Sequence, residues 1–224
     1  IKSTDRPVVR LITETQASGA FSRCWHATLL WALETAAWYP LRLPRVADAL
    51  AKLSEIEIKG NWSNTPFNSL VSLFRPWYPQ TAAPIELRLR VVRDVVKQHA
   101  STGWRLLVSL VPNHFDSASP NAKPHWRDDN AGAGEGVTNQ EYREFLLSIG
   151  DLLVQQADGY AQRIAELVPL IDQLDRKFGN SIIGLIEAST SYDDESKELI
   201  RSSVRKFLNW QNSFIRDGEQ GERY

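Results

Sequence analysis

Apolar residues recur every three or four positions along most of the chain, and polar–apolar alternation at every second position is missing. A period of three to four belongs to a helix that buries one face, whereas a half-buried strand alternates with a period of two. Prolines cut this pattern into segments of helical length, because the residue before a proline leaves the helical region. The sequence therefore predicts an all-α protein of about eight to ten helices without strands.

Local signals predict where several helices begin and end. Thr138 and Glu141 have the spacing of a capping box, and Asp193 is placed to cap the last long helix. Other helices are predicted from Leu43 to Ile56, from Phe67 to Phe74, after Pro84, and from Trp104 to Val111. Gly103 is predicted to separate two helices, Pro169 to kink a helix and Gly179 to end one.

A faint internal repeat affects the predicted fold. The word LVSL at 70–73 returns at 107–110, and the segment 41–46 resembles 87–92. A long helix followed by a short one thus occurs twice, at a spacing of about 40 residues, which is in the range of HEAT-like and armadillo-like arrays. We predict an α-solenoid-like array of helical hairpins. The alternative is an irregular helical domain with a single core.

The segment 113–137 is long, polar and rich in glycine. Loops of this length in compact domains are usually functional or disordered. We predict a contact or junction element that binds a partner, with these candidate residues: His114, Asp116, Ser117, His125, Trp126 and Arg127. The alternative is a metal site, or a metal-dependent enzyme, built from mixed nitrogen and oxygen ligands: His114, Asp116, His125 and Asp128. Their spacing matches no compact metal motif, so no metal and no catalytic residue is predicted.

Two other residue classes bear on binding. Basic residues at Arg88, Arg90, Arg93 and Lys97 share one helix but face several directions, which favours a solvated exterior over a nucleic-acid site. Tryptophans gather at helix ends and connections, where core anchoring is the default and an exposed subset would mark a protein-binding surface. The tryptophans concerned are Trp31, Trp38, Trp62, Trp77, Trp104 and Trp126.

Composition excludes several classes of protein. The 224 residues carry 26 basic against 27 acidic side chains, a balance that gives no electrostatic case for nucleic acid or anionic membrane. The single cysteine, Cys24, excludes a disulfide framework or a cysteine-rich zinc site. No apolar run reaches membrane-spanning length, and no cofactor motif is found, so a cytoplasmic protein without cofactor is predicted. Methionine is absent, and we expect the chain to be an excerpt of a longer polypeptide.

Three stretches within 29–129 carry a resemblance to a known class of protein. They read LLWALETAAWYPLRLPRVADALAKLSEI, NWSNTPFNSLVSLFRPWYPQTAAPIELRLRVV and GWRLLVSLVPNHFDSASPNAKPHWRDD. The pattern resembles a helical region of very large bacterial anti-phage defence proteins of the STAND/NTPase type, downstream of the effector or NTPase module. The resemblance implies a sensor or scaffold segment that binds a protein, with no catalytic residues of its own.

We therefore expect a non-enzymatic helical scaffold or sensor module of a larger bacterial protein, which recognises a protein partner or packs against other domains of its own chain. Its predicted organisation is a repeat-like half at 1–129, a Gly-rich spacer at 130–137, a second helical half at 138–215 and a polar tail at 216–224.

Overall fold

A computed structural model of the chain describes residues 25–56, 63–113, 116–118, 120–121, 124 and 136–221, with the side chains of 25–26 and 214–221 left out. All regular structure in these ranges is helical, with no strand among them, which confirms the all-α prediction. The first five helices are α1 (Trp25–Ala37), α2 (Leu43–Leu53), α3 (Pro66–Phe74), α4 (Ile85–Gln98) and α5 (Ala100–Ser109).

Four further α-helices follow the long loop, with two short 3₁₀ turns between them. They are α6 (Asn139–Ala157), α7 (Ala161–Leu167), α8 (Arg176–Ala188) and α9 (Asp194–Gly221), with 3₁₀ turns at Val168–Leu170 and Ser189–Ser191. α9 thus continues into the segment 216–224 that was predicted to be a tail. None of the described helices has the length and apolar character needed to span a bilayer.

Contacts divide the described residues into two compact units. The first contains residues up to 110 and those within 114–145, and the second contains 111–113 and 146–224. The division falls within α6. Most of the predicted spacer 130–137 lies outside the described residues, so its role as a boundary stays a prediction.

Two helical hairpins form the centre of the first unit. α2 packs against α3, and α4 packs against α5. The first helices of the hairpins, α2 and α4, also contact each other, as do the second helices, α3 and α5. The repeated word LVSL supplies the same core positions to both short helices, since Leu70, Leu73, Leu107 and Leu110 are all buried.

The buried positions of the two long helices correspond at a shift of 45 residues, one less than the shift of 46 at which the segments 41–46 and 87–92 resemble each other in sequence. At a shift of 46, buried Ala47 and Ala51 would correspond to exposed Arg93 and Lys97. At 45, every core position of α2 corresponds to a buried position of α4: Leu43, Val46, Ala47, Leu50 and Ala51 correspond to Arg88, Val91, Val92, Val95 and Val96. An arginine therefore stands where the first hairpin has a leucine.

Gly103 does not separate two helices, because it lies inside α5. The chain instead breaks at His99, whose backbone angles of φ −130° and ψ 69° leave the helical region. A Cβ added at Gly103 would come within 2.5 Å of the Val96 Cα. The glycine is therefore used for the close approach of α5 to α4 rather than for a helix end.

The predicted kink at Pro169 and helix end at Gly179 were also wrong. α7 ends at Leu167, and Pro169 sits in the following 3₁₀ turn. Asp175 begins a new helix, since its carboxylate accepts a hydrogen bond from the Phe178 N–H at 2.8 Å. Gly179 lies within α8, where an added Cβ would stand 2.8 Å from the Ile171 carbonyl oxygen.

Two predicted caps are confirmed. The Glu141 N–H donates to the Thr138 hydroxyl oxygen at 3.2 Å, and the Thr138 N–H donates to the Glu141 carboxylate at 3.1 Å. At the start of α9, the Ser196 N–H donates to the Asp193 carboxylate at 2.8 Å. In both places a side chain satisfies a first-turn N–H that has no partner within the helix.

Candidate protein-binding surface

The connection from α3 to α4 exposes two aromatic rings. Pro76 and Pro79 prevent α3 from continuing, and Arg75, which precedes Pro76, takes an extended ψ of 125°. Trp77 and Tyr78 follow with their rings stacked, 5.9 Å apart between centroids and 22° from parallel. The residues are 39% and 37% exposed, so the stack faces solvent.

A carboxylate from the long loop holds this stack in place. The Asp116 carboxylate forms an ion pair with the Arg75 guanidinium and accepts a hydrogen bond from Trp77 Nε1 at 3.3 Å. The guanidinium also lies over the Trp77 ring, 5.7 Å from its centroid. Both charged side chains are mostly buried, at 17% and 19% exposure, so their attraction is less screened than on an open surface. We name Arg75, Trp77, Tyr78 and Asp116 the Trp77 platform.

A second set of hydrogen bonds ties the same loop to the α3–α4 connection. The buried Gln80 side chain accepts a hydrogen bond from the Asn121 N–H at 3.0 Å. The Asn121 side-chain amide donates to the Ser72 hydroxyl at 3.0 Å. Together with Asp116, these bonds fix the described part of the loop against the connection, so contacts within the chain hold the platform in place.

The structure brings only part of the predicted binding set together. Asp116 belongs to the platform, and Ser117 lies exposed beside it. The remaining candidates lie outside the described residues: His114, His125, Trp126, Arg127 and the alternative metal ligand Asp128. Asp116 is poorly placed to serve the alternative metal site, because its two carboxylate oxygens already bind Arg75 and Trp77.

The tryptophans divide into core anchors and exposed rings. Trp38 and Trp104 are buried at 5% and 7% exposure, whereas Trp31 on α1 is 54% exposed. Trp62 and Trp126 lie outside the described residues. Of the exposed tryptophans, Trp77 has its indole N–H bonded to the mostly buried Asp116 carboxylate, so its ring is held in one position.

The prediction that Arg88 lies on the solvated exterior of its helix was wrong. Arg90, Arg93 and Lys97 are exposed as expected, but Arg88 is buried at 3% exposure. Its Nε and Nη1 have no hydrogen-bond partner among the residues that the structure describes, while Nη2 lies 3.7 Å from a Glu141 carboxylate oxygen. Burial lowers the pKa of this guanidinium, partly offset by nearby glutamates. The residue belongs to the core between α4 and α6 and is not available to nucleic acid.

One histidine lies between two carboxylates of the first unit. His99 Nε2 is 2.9 Å from Asp48 Oδ1, and Nδ1 is 3.3 Å from Glu55 Oε1. Burial raises the pKa of Asp48, but hydrogen bonds from Lys52 and His99 outweigh it and hold that pKa below its ordinary value. The carboxylates bind opposite ring nitrogens, so they cannot share one metal ion with the imidazole. His99 therefore connects α2 to the α4–α5 junction.

A buried glutamate joins α1 to α3. The Ser69 hydroxyl donates to the Glu34 carboxylate at 2.6 Å, and both residues are buried. Burial raises the pKa of Glu34, while the hydrogen bond from Ser69 opposes that rise. Over the described ranges, no cluster of three or more His, Cys, Asp or Glu side chains is arranged to hold a metal.

Sequence reasoning missed Arg75, Tyr78 and Asn121 as parts of the surface. The available signal was the dense word Arg75-Pro76-Trp77-Tyr78-Pro79, in which two prolines rule out a helix and leave the aromatic rings without a helical face to bury them. The pairing of Arg75 with Asp116 spans 41 positions of the chain, and no local pattern encodes it.

Comparison with known proteins gives no relative: no family model, no curated protein and no solved structure matches the chain.

Proposed function

We propose that this chain is a helical-repeat-like scaffold or sensor module that recognises a protein partner through the Trp77 platform. The observation that carries the proposal is the exposed Trp77–Tyr78 stack with Arg75 over its face. Tryptophan, tyrosine and arginine are the residue types that dominate the energy of protein interfaces. Here all three adjoin one another and are fixed from behind by Asp116.

The repeat-like part of the proposal rests on the packing of the first unit. In an array of stacked hairpins, first helices contact first helices and second helices contact second helices. α2 with α4 and α3 with α5 follow this rule. The platform lies in the connection between the two hairpins, where repeat proteins vary without disturbing their core.

Rigidity favours binding over catalysis for the platform. A partner that meets pre-ordered rings loses less side-chain entropy on association, which raises affinity without new contacts. Catalysis would instead need a nucleophile, an acid or a base facing a cleft. Asp116 is the one titratable carboxylate of the platform, and its oxygens are taken up by Arg75 and Trp77.

The proposed setting is the cytoplasm of a bacterium, within a larger protein of the anti-phage defence type. It is supported by the resemblance carried by residues 29–129, within which the Trp77 platform lies. A partner in that setting is a phage or regulatory protein, or another domain of the same polypeptide.

Site-specific photocross-linking tests the proposal. A photoreactive phenylalanine analogue placed at Tyr78, in the polypeptide that carries this chain, should cross-link to one specific protein or domain. The same analogue at Trp31 is the matched control, since Trp31 is also an exposed ring of the first unit. Equal cross-linking yields and products from both positions would contradict a specific platform.

A further inference from the structure

A second surface lies in the other unit, as a groove between α8 and α9. Its volume is about 560 Å³, within the range of about 300–1,000 Å³ that is usual for ligand sites. Ile200, Val204 and Ile186 supply its apolar part, and Ile200 is almost fully buried. The groove shares no residue with the Trp77 platform.

One wall of the groove is a row of basic side chains on α9. Lys197, Arg201 and Arg205 follow at intervals of four residues, so they lie along one stripe of the helix. At 1.5 Å of rise per residue the row is roughly 12 Å long, which is the length of about four residues of extended peptide. The row therefore fits a short stretch of peptide laid along the helix.

The charges along the row are not equally neutralised. Lys197 lies 3.6 Å from the Asp194 carboxylate, and Arg205 pairs with Glu198. Arg201 forms no ion pair with any residue that the structure describes, and it is exposed. Its guanidinium can therefore take a carboxylate from outside, through the two parallel hydrogen bonds that this pair favours.

We propose that the α8–α9 groove binds an acidic peptide segment in which carboxylate side chains alternate with aliphatic ones. A carboxylate pairs with Arg201, and an aliphatic side chain packs on Ile200 and Val204. Recognition of acidic motifs by arginine is an established mode of peptide binding. A phosphate or nucleic-acid ligand fits less well, because it would leave the apolar residues Ile186, Ile200 and Val204 without a partner, whereas a peptide with aliphatic side chains covers them.

Fluorescence polarisation with defined probes tests the groove. The probe is a fluorescein-labelled five-residue peptide in which leucine alternates with glutamate, and the comparison peptide carries lysine in place of glutamate. The acidic peptide should bind the intact chain and the basic one should not. Arg201→Glu should weaken binding by at least about tenfold, the size expected for losing a charge-assisted pair.

Two controls keep the outcome decisive. Lys206→Ala removes a cation from the same helix outside the groove lining and should leave affinity unchanged within about twofold, because exposed charges at a distance are screened. Trp77→Ala should also leave the affinity for the acidic peptide unchanged, so the experiment tests the groove independently of the Trp77 platform. Equal binding by the Arg201→Glu protein, absence of binding, or displacement by single-stranded DNA as effectively as by unlabelled peptide would overturn the proposal.

Discussion

Replacing Arg88 by methionine should stabilise the protein. Arg88 occupies the position at which the first hairpin has Leu43, and its buried Nε and Nη1 find no hydrogen-bond partner within the described part of the chain. Each unsatisfied buried polar group costs about 1–3 kcal/mol. Against this gain stands the lost contact with the Phe145 ring, 5.5 Å from the guanidinium, worth about 0.5–2 kcal/mol.

The balance favours Arg88→Met because Glu141, the ionic partner of Arg88, does not become a buried, unpaired charge. Glu141 is 36% exposed, so water can solvate it once Arg88 is gone. Replacing buried ionic groups by apolar ones of similar volume is often neutral or stabilising by about 1–4 kcal/mol. We expect about 2 kcal/mol, which raises Tm by about 4–8 °C in a chain of this size.

Thermal and denaturant unfolding followed by circular dichroism measure the effect. Arg90→Met is the matched control, since Arg90 lies on the same helix and is exposed, and it should change stability by less than about 0.5 kcal/mol. If Arg88→Met destabilised the protein by 2 kcal/mol or more, the buried guanidinium would have to be hydrogen-bonded in solution, and the assignment of position 88 to an apolar core site would be refuted.

Three further predictions concern residues within the helices, the first two in the first unit and the last in the second. Burial raises the pKa of Glu34, so its neutral form stabilises the fold below the ordinary pKa and that stability is lost as pH rises through the folded value. Glu34→Gln keeps an oxygen for Ser69, so it should raise Tm at pH 7 and flatten the dependence of Tm on pH between 4 and 7; unchanged pH curves would refute this. Gly103→Ala should destabilise by about 1–3 kcal/mol, because the new Cβ would meet the Val96 backbone. Gly184→Ala, where the Cβ would enter open space, should instead stabilise by about 0.5–1 kcal/mol in the same denaturant titration.

The sequence predicts helices well here because their signals are local. The capping box at Thr138 and the cap at Asp193 each lie within one helical turn, and the structure contains both. Glycines were misjudged for the opposite reason. Gly103 and Gly179 serve close contacts with residues on other segments, and a one-dimensional pattern does not distinguish that use from a helix end.

The candidate surface was only partly predictable for the same physical reason. The polar loop 113–137 drew attention to Asp116, but the partner of that carboxylate, Arg75, is brought to it by the packing of the first unit. Arg88 shows the converse error, since a charged residue on an amphipathic helix is expected in solvent but lies in the core.

The central claim is that the Trp77 platform binds a protein. Isothermal titration calorimetry tests this most directly. The purified partner that the cross-linking identifies is titrated against the intact chain and against its Trp77→Ala and Trp31→Ala variants. We predict that Trp77→Ala weakens binding by about 30-fold or more, the effect of losing a hot-spot residue worth about 2 kcal/mol, while Trp31→Ala stays within about twofold of the unaltered chain. Equal affinities for all three proteins would contradict it.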